Sequence, residues 1–433
     1  MIIRFSVENF RSFKERQTLY LSTVKTCKEW LDENTALDGD VRAVRTAVVY
    51  GANASGKTNL LFAMQRLKMF MLSSVDFDKK AKTLFCEPFM LVKSASEKPT
   101  TFEIEFTVNG RRFEYGFSIQ SFNRSWENYA VVKEWLLEVE RGKTHPCFLR
   151  ERQTGADAAT ADVISVDAKR MPQGRGLEQR TRPDVLFFTV AAQFAEPTCQ
   201  MISEYIGQSF NVISRIEDMA ASANISAGML ANNATAAKIK KLITDADIGV
   251  KDISVGDNGQ LLSWHSTYDE MGNVVGRTNL LFGYMESEGT KKIFNLSGML
   301  IDTLQNGRIL VVDELDAQLH PILVRHLMEL FNSPETNPKN AQLIFNTQSA
   351  DLLGYKVYSE EKGKKMTRLR RDQIYFVEKD NQEASRLFSL VEFKKESGLR
   401  TRNDASYEKD YLSGVYGGIP FPQEMIERTS RNG

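Results

Sequence analysis

Apolar and polar residues alternate from Ile2 to Phe10, which predicts a strand by the two-residue period of the β pleat. A short buried strand is expected at Thr46 to Tyr50, and a helix from Thr58 to about Leu72. In "TFEIEFTVNGRRFEYGFSI" two alternating runs flank Asn109-Gly110, a hairpin signal, and Val131 to Glu140 continues as a strand. Residues 150 to 183 are polar and rich in Gly and Ala, and read as a surface loop. From Ala191 to Asp247 the period turns helical, as in "CQMISEYIGQSF" and "AAKIKKLITDAD". Hairpins return over 250 to 280, with turns at Asp257-Asn258-Gly259 and Asp269 to Asn273. A helix from about Thr290 ends at Gly307, a C-cap residue. Strands Ile309 to Val312 and Leu343 to Phe345 bracket one more helix, and no internal repeat is evident. The order predicts an α/β fold with an antiparallel β-subdomain and a mostly helical insertion.

Composition narrows this picture. The 433 residues allow one large or two intimate domains. Lys plus Arg and Asp plus Glu number 56 each, so no global basic field drives binding to nucleic acid or anionic membrane. Cys27, Cys86, Cys147 and Cys199 are widely spaced and fit reduced thiols better than a disulfide framework or a zinc site. No apolar run approaches a membrane span, and the expected location is the cytoplasm.

The candidate chemistry sits in "VVYGANASGKTNLL", residues 48 to 61, where an apolar strand runs into G-x-x-x-x-G-K-[ST] and then a helix. Gly51, Asn53, Gly56, Lys57 and Thr58 are the expected ATP-binding residues. The glycines let the backbone approach phosphate, successive N–H groups cradle it, and Lys57 supplies charge. Thr58 is also expected to ligate Mg²⁺. "RILVVDELDAQLHP", residues 308 to 321, supplies the partner. Asp313 ends an apolar strand and is the second expected Mg²⁺ residue, and Glu314 is placed to activate water.

Asp313 lies 256 residues beyond Lys57, too far for a compact GTPase-like fold. A phosphate loop and an acid split by a long insertion is the layout of ABC-type heads in the SMC and RecF group. That layout calls for a signature shortly before the acid. Ser287-Glu288-Gly289-Thr290, 26 residues before Asp313 counted from Ser287, fits, with Ser287 and Gly289 expected to complete the nucleotide site of a second protomer. Taken alone, the same residues also read as an ordinary helix N-cap. In "AQLIFNTQSADLL", Gln348 stands where such ATPases usually carry a histidine, and is the second candidate catalytic residue beside Glu314. His320 and His326 read as structural. The basic stretch "EEKGKKMTRLRRDQ", 360 to 373, reads equally as a solvated edge or a nucleic-acid contact.

"RFSVENFRSFKE", "VVYGANASGKTNLL", "VVDELDAQLHP", "RRDQIYFVEKD" and "YLSGVYGGIP" together resemble the RloA/AbiLi type of ABC-like AAA-family ATPase, relatives of the OLD and Septu PtuA ATPases. The resemblance implies an ABC-type head in three parts: residues 1–150 with the phosphate loop, 151–250 as the insertion, and 251–433 with signature, acid and switch. It implies ATP and Mg²⁺ as cofactors, a homodimer or higher homo-oligomer, and a role in prokaryotic anti-phage or abortive-infection defence beside a separate effector such as a nuclease. The alternative is a RecF- or SMC-like DNA-maintenance ATPase. The 85 residues after Gln348, with Glu378 and Asp380 as their one acidic cluster, are expected to be too few for a full TOPRIM nuclease domain of the OLD kind. Lys57→Ala should abolish ATP binding, because the loop loses its phosphate-neutralising charge. Calorimetry on the variant checks this, and wild-type affinity would remove the phosphate-loop assignment.

Overall fold

The computed structural model describes residues 1–76, 87–121, 129–152, 162–214, 216–246, 249–360, 363–393, 401 and 405–419. Two large sheets carry the fold. In the first, strands follow the spatial order Asp162–Val166, Lys143–Arg152, Tyr129–Glu140, Arg111–Ser121, Thr100–Val108, Ile2–Glu8 and Gln17–Tyr20, antiparallel throughout. The second has the order Phe210–Ile213, Ile309–Val312, Gln342–Thr347, Thr46–Tyr50, Ile374–Lys379 and Ser385–Ser389. Its first five strands are parallel and the last is antiparallel.

Strand period explains how the layers stack. In the antiparallel sheet Phe102, Ile104 and Phe106 face the core, while Glu103 and Glu105 point to the other face and pair with Arg4, Arg16 and Arg112. The parallel strands are buried on both sides, as their continuous apolar runs require. Ala47, Val49, Ile309, Val311 and Ile344 join the core shared with the antiparallel sheet. Val48, Tyr50, Leu310, Val312, Leu343 and Phe345 join a second core on the opposite face. The helix Lys57–Ser73 lies in the first core and is buried on most of its surface. The helices Glu288–Asn306 and Pro321–Asn332 cover the second.

Two details depart from the sequence pattern. The stretch read as a loop over 150 to 183 holds the strand Asp162–Val166, which pairs with Lys143–Arg152; its burial alternates between half-buried and exposed, typical of an edge with little apolar signal. Residues 153–161 lie outside the described residues, as does Cys86. The stretch read as helical over 191 to 247 contains Phe210–Ile213, a four-residue strand too short to show a period, which becomes the edge of the parallel sheet. Segment 151–250 is mostly helical, with four α-helices among its described residues, and it also gives one strand to each large sheet. Its helices also divide: Phe187–Gln193 and Pro197–Ser209 pack on Lys57–Ser73, and Ile216–Met229 and Asn233–Asp245 on Glu288–Asn306. No helix among the described residues is long and apolar enough to cross a membrane.

Two polar ties hold the layers together. Gln342 accepts from Ile2 N at 2.7 Å and donates to the carbonyls of Ile2 and Val44 at 3.1 Å each, joining the two sheets. The fully buried Glu134 accepts from Phe187 N at 2.7 Å, Phe188 N at 2.9 Å and the Tyr115 hydroxyl at 3.0 Å. Beside it lies the equally buried Arg150, 3.5 Å away, which also donates to Asp162 at 2.5 Å. Burial pushes the Glu134 carboxyl above its ordinary range, against the pull of Arg150. Glu134→Ala would strip a helix start of its acceptor and leave Arg150 short of a counter-charge. We expect a loss of about 3–5 kcal/mol in urea unfolding. A loss below about 1 kcal/mol would show that Asp162 and the nearby carbonyls suffice for Arg150.

Candidate functional site

The parallel register sets the site. Val312 lies beside Phe345, and Phe345 beside Val48, so the strand ends that carry Gly51, Asp313 and Asn346 emerge together. Gly51 and Gly56 take φ values of +156° and +113°. A Cβ at Gly51 would stand 2.5 Å from the Val377 carbonyl oxygen, and one at Gly56 2.2 Å from Ser385 Oγ and 2.7 Å from Ser12 Oγ. Conformation and crowding both demand glycine at these two places. Behind the loop, the C-terminal segment packs Tyr411 against Tyr50 and Phe376, with Gly418 3.5 Å from the Gly51 Cα by the same Cβ measure.

Lys57 Nζ donates to the carbonyls of Gly51 at 2.7 Å and Ala52 at 2.9 Å. Burial lowers its pKa, opposed by the nearby charges of Glu314, Asp313 and Asp316. Asn53 is exposed at the crest of the loop. Thr58 Oγ1 donates to Asp313 Oδ1 at 3.1 Å, across 255 positions of sequence. Burial raises the Asp313 carboxyl, while hydrogen bonds from Asn346 and Thr58 pull it down. The hydroxyl of Thr58 and the carboxylate of Asp313 are two adjoining hard oxygens, the donor set that suits Mg²⁺.

Glu314 is exposed and has φ +48°, a left-handed backbone that costs a non-glycine residue about 1–3 kcal/mol. Its carboxylate accepts from Gln348 Nε2 at 3.2 Å, so the two candidate catalytic side chains meet. Ser287 is exposed and Gly289 half-buried at the start of the helix Glu288–Asn306. The Ser287 hydroxyl caps its helix by accepting from Thr290 N at 3.1 Å. Gly289 sits against the chain that follows the acid: a Cβ there would be 2.7 Å from the Gln318 carbonyl oxygen. A cleft of about 660 Å³, lined by Ser214, Met219, Lys292, Asp313, Glu314 and Gln318, runs between this helix and the acid.

Two residues went unnoticed in the sequence. Asn346, wholly buried, donates to Asp313 Oδ1 and accepts from Glu314 N at 2.5 Å. Its signal was an amide directly after the apolar run Leu343, Ile344 and Phe345. Lys292 donates to the carbonyls of Glu314 at 2.6 Å and Ala317 at 2.8 Å. It stands four residues before buried Leu296, a lysine on the apolar face of its helix. The other charged candidates resolve differently. Arg370 and Arg368 are buried, and Arg371 is largely so; they pair with Asp372, Glu329 and Glu29 respectively. His320 caps the helix Pro321–Asn332 through Ile322 N at 3.3 Å. Glu378 abuts Gly417, and Asp380 accepts turn N–H groups from Gln382 and Ala384.

A glycine-bound loop at a helix start, closed by a strand-end acid on a parallel sheet, defines a P-loop ATPase of the AAA type. The chain belongs to the family described as "AAA domain, putative AbiEii toxin, Type IV TA system", which it matches over residues 47–160 and 220–354, more than half its length. Among solved structures it is similar to the SMC head domain from Thermotoga maritima, with 12% identity, a TM-score of 0.41, and coverage of 90% of this chain and 98% of that one. No curated protein matches it.

Glu314→Gln should bind ATP with wild-type affinity and turn it over about 10²–10⁴-fold more slowly, the usual worth of a general base. Parallel binding and phosphate-release measurements check this, and unchanged turnover would remove Glu314 from the chemistry.

Proposed function

We propose that this chain is the ATP-binding and ATP-hydrolysing subunit of an anti-phage defence system of the RloA/AbiLi type. ATP is held between head-to-tail protomers of a homodimer or higher homo-oligomer in the cytoplasm, and the assembly controls a separate effector such as a nuclease. The observation that carries the ATPase part is the 3.1 Å contact between Thr58 and Asp313, which closes a phosphate loop onto an acid from the far end of the chain. The defence part draws support from the family description, which names a toxin of a toxin–antitoxin system.

In this reading the loop backbone from Gly51 to Gly56 and the Lys57 ammonium hold the phosphates, and Asn53 at the exposed crest faces the partner side. Thr58 and Asp313 would hold Mg²⁺, which when bound neutralises charge building on the transferred phosphate. Glu314 takes the proton of the attacking water. Gln348, bonded to the Glu314 carboxylate, keeps that group and the water in line. A glutamine neither gains nor loses a proton, so turnover is slow and the ATP-bound state long-lived. Ser287 and Gly289, exposed and half-buried at a helix start, serve the neighbour's γ-phosphate. ATP then acts as a clamp between protomers, and the effector responds to clamp closure. The DNA-maintenance alternative loses ground because Arg368, Arg370 and Arg371 are spent on internal pairs.

Complementation tests the shared sites. Ser287→Arg and Lys57→Ala should each be inactive alone. In their mixed dimer both defects fall on one composite site and the other is intact, so part of the activity should return. Heterodimers that form and stay inactive would count against sites shared across the interface.

A further inference from the structure

We infer that Asn346 and Lys292 are positioning residues that grip the backbone of Glu314 from both sides and tie its readiness to the seating of the helix that begins at Ser287. This inference rests on the nucleotide-site reading above. Glu314 has a left-handed φ of +48° without being glycine, so something must hold it there. The peptide before it is fixed because its N–H donates to Asn346 Oδ1 at 2.5 Å. The peptide after it is fixed because its carbonyl accepts from Lys292 Nζ at 2.6 Å. Fixing both flanking peptide planes fixes φ and ψ together, and with them the direction in which the side chain leaves the backbone.

Each gripping residue does a second job. The other amide atom of Asn346 donates to Asp313, so one buried side chain sets both acids relative to each other. Lys292 also donates to the Ala317 carbonyl at 2.8 Å, fixing the chain that follows the acid. A buried ammonium held by neutral carbonyls is a costly arrangement. Burial lowers its pKa, with the charges of Asp316, Glu314 and Asp313 opposing the change. Its neighbours Ile293 and Leu296 are apolar and buried, so packing alone would favour an aliphatic residue here. What the lysine adds is a hydrogen-bonded link from its helix to the chain that carries Glu314 and Ala317. It sits five residues after Ser287 on the same helix, so a shift of that helix start pulls directly on the carbonyl of Glu314.

The test compares K292M, K292R and N346L with the wild-type full chain, measuring ATP affinity, thermal melting and steady-state hydrolysis. K292M keeps the aliphatic stem and loses both hydrogen bonds. We expect ATP affinity and KM within about threefold of wild type and kcat lower by on the order of 10²-fold, the cost of misplacing a reacting group by about 1 Å. K292R should recover part of kcat, and N346L should show the same split as K292M. A folded K292M with wild-type kcat overturns the proposal, even if its melting temperature falls. Loss of ATP affinity in K292M without recovery in K292R marks a merely structural lysine and overturns it as well. If N346L does not fold, the two lysine variants decide. Absence of hydrolysis by the wild type would instead overturn the site reading beneath it, so the two failures are distinguishable.

Discussion

Parallel pairing of Gln342–Thr347 between Ile309–Val312 and Thr46–Tyr50 is the contact on which everything else depends. Parallel strands carry evenly spaced, slanted hydrogen bonds, so neighbouring strand ends stay level once register is set. Here that register is enforced from both faces. A slip of one residue would turn Val48, Leu310 and Phe345 out of one apolar core and into the place of residues belonging to the other. The polar residues at the strand ends inherit this accuracy. Asn346 reaches Asp313 and the Glu314 backbone because the strand beneath it cannot slide, and Thr58 meets Asp313 for the same reason.

The strand ends also explain what could be read in advance. Gly51, Gly56, Lys57 and Thr58 announce themselves because phosphate binding restricts residue type at fixed spacing along one stretch of chain. Asp313 and Glu314 are visible because an apolar strand ending in acids, common by itself, becomes a strong signal beside a full phosphate loop. The helix from Glu288 and its end at Gly307 followed from period and capping chemistry. The residues missed act through shape across the sheet. Asn346 and Lys292 matter because of where their neighbours stand, and nothing local marks those neighbours. Phe210–Ile213 was missed for a related reason: four residues are a strand only because Ile309–Val312 offers them an edge. Among the basic residues, charge density in the sequence pointed outward. The fold turns Arg368, Arg370 and Arg371 inward, where their planar groups pair with Glu329, Asp372 and Glu29 in that order.

The middle of the chain bridges the head at two places. One pair of its helices rests on the helix that follows the phosphate loop, and the next pair on the helix that begins at Ser287, with the strand Phe210–Ile213 between them. Ser226, for example, donates to the Asn295 carbonyl and accepts from Gly298 N on that second helix. The insertion therefore spans the two elements whose relative placement decides whether loop, acid and helix start work together.

The strand Thr46–Tyr50 carries a consequence for how the chain comes to be made. It is central and wholly buried, yet both of its neighbours, Gln342–Thr347 and Ile374–Lys379, are supplied by far later sequence. A ribosome adding about 5–20 residues per second needs roughly 15–60 s to pass from Tyr50 to Gln342. Throughout that interval the strand has no sheet to enter, and it resembles the bare apolar segments that associate with other chains. Sheets with such distant pairing form slowly, because a large loop must close before any contact repays it. Birth on the ribosome is thus the most vulnerable moment for this molecule, and its yield in a cell depends on shelter for one five-residue strand until the last third of the chain arrives.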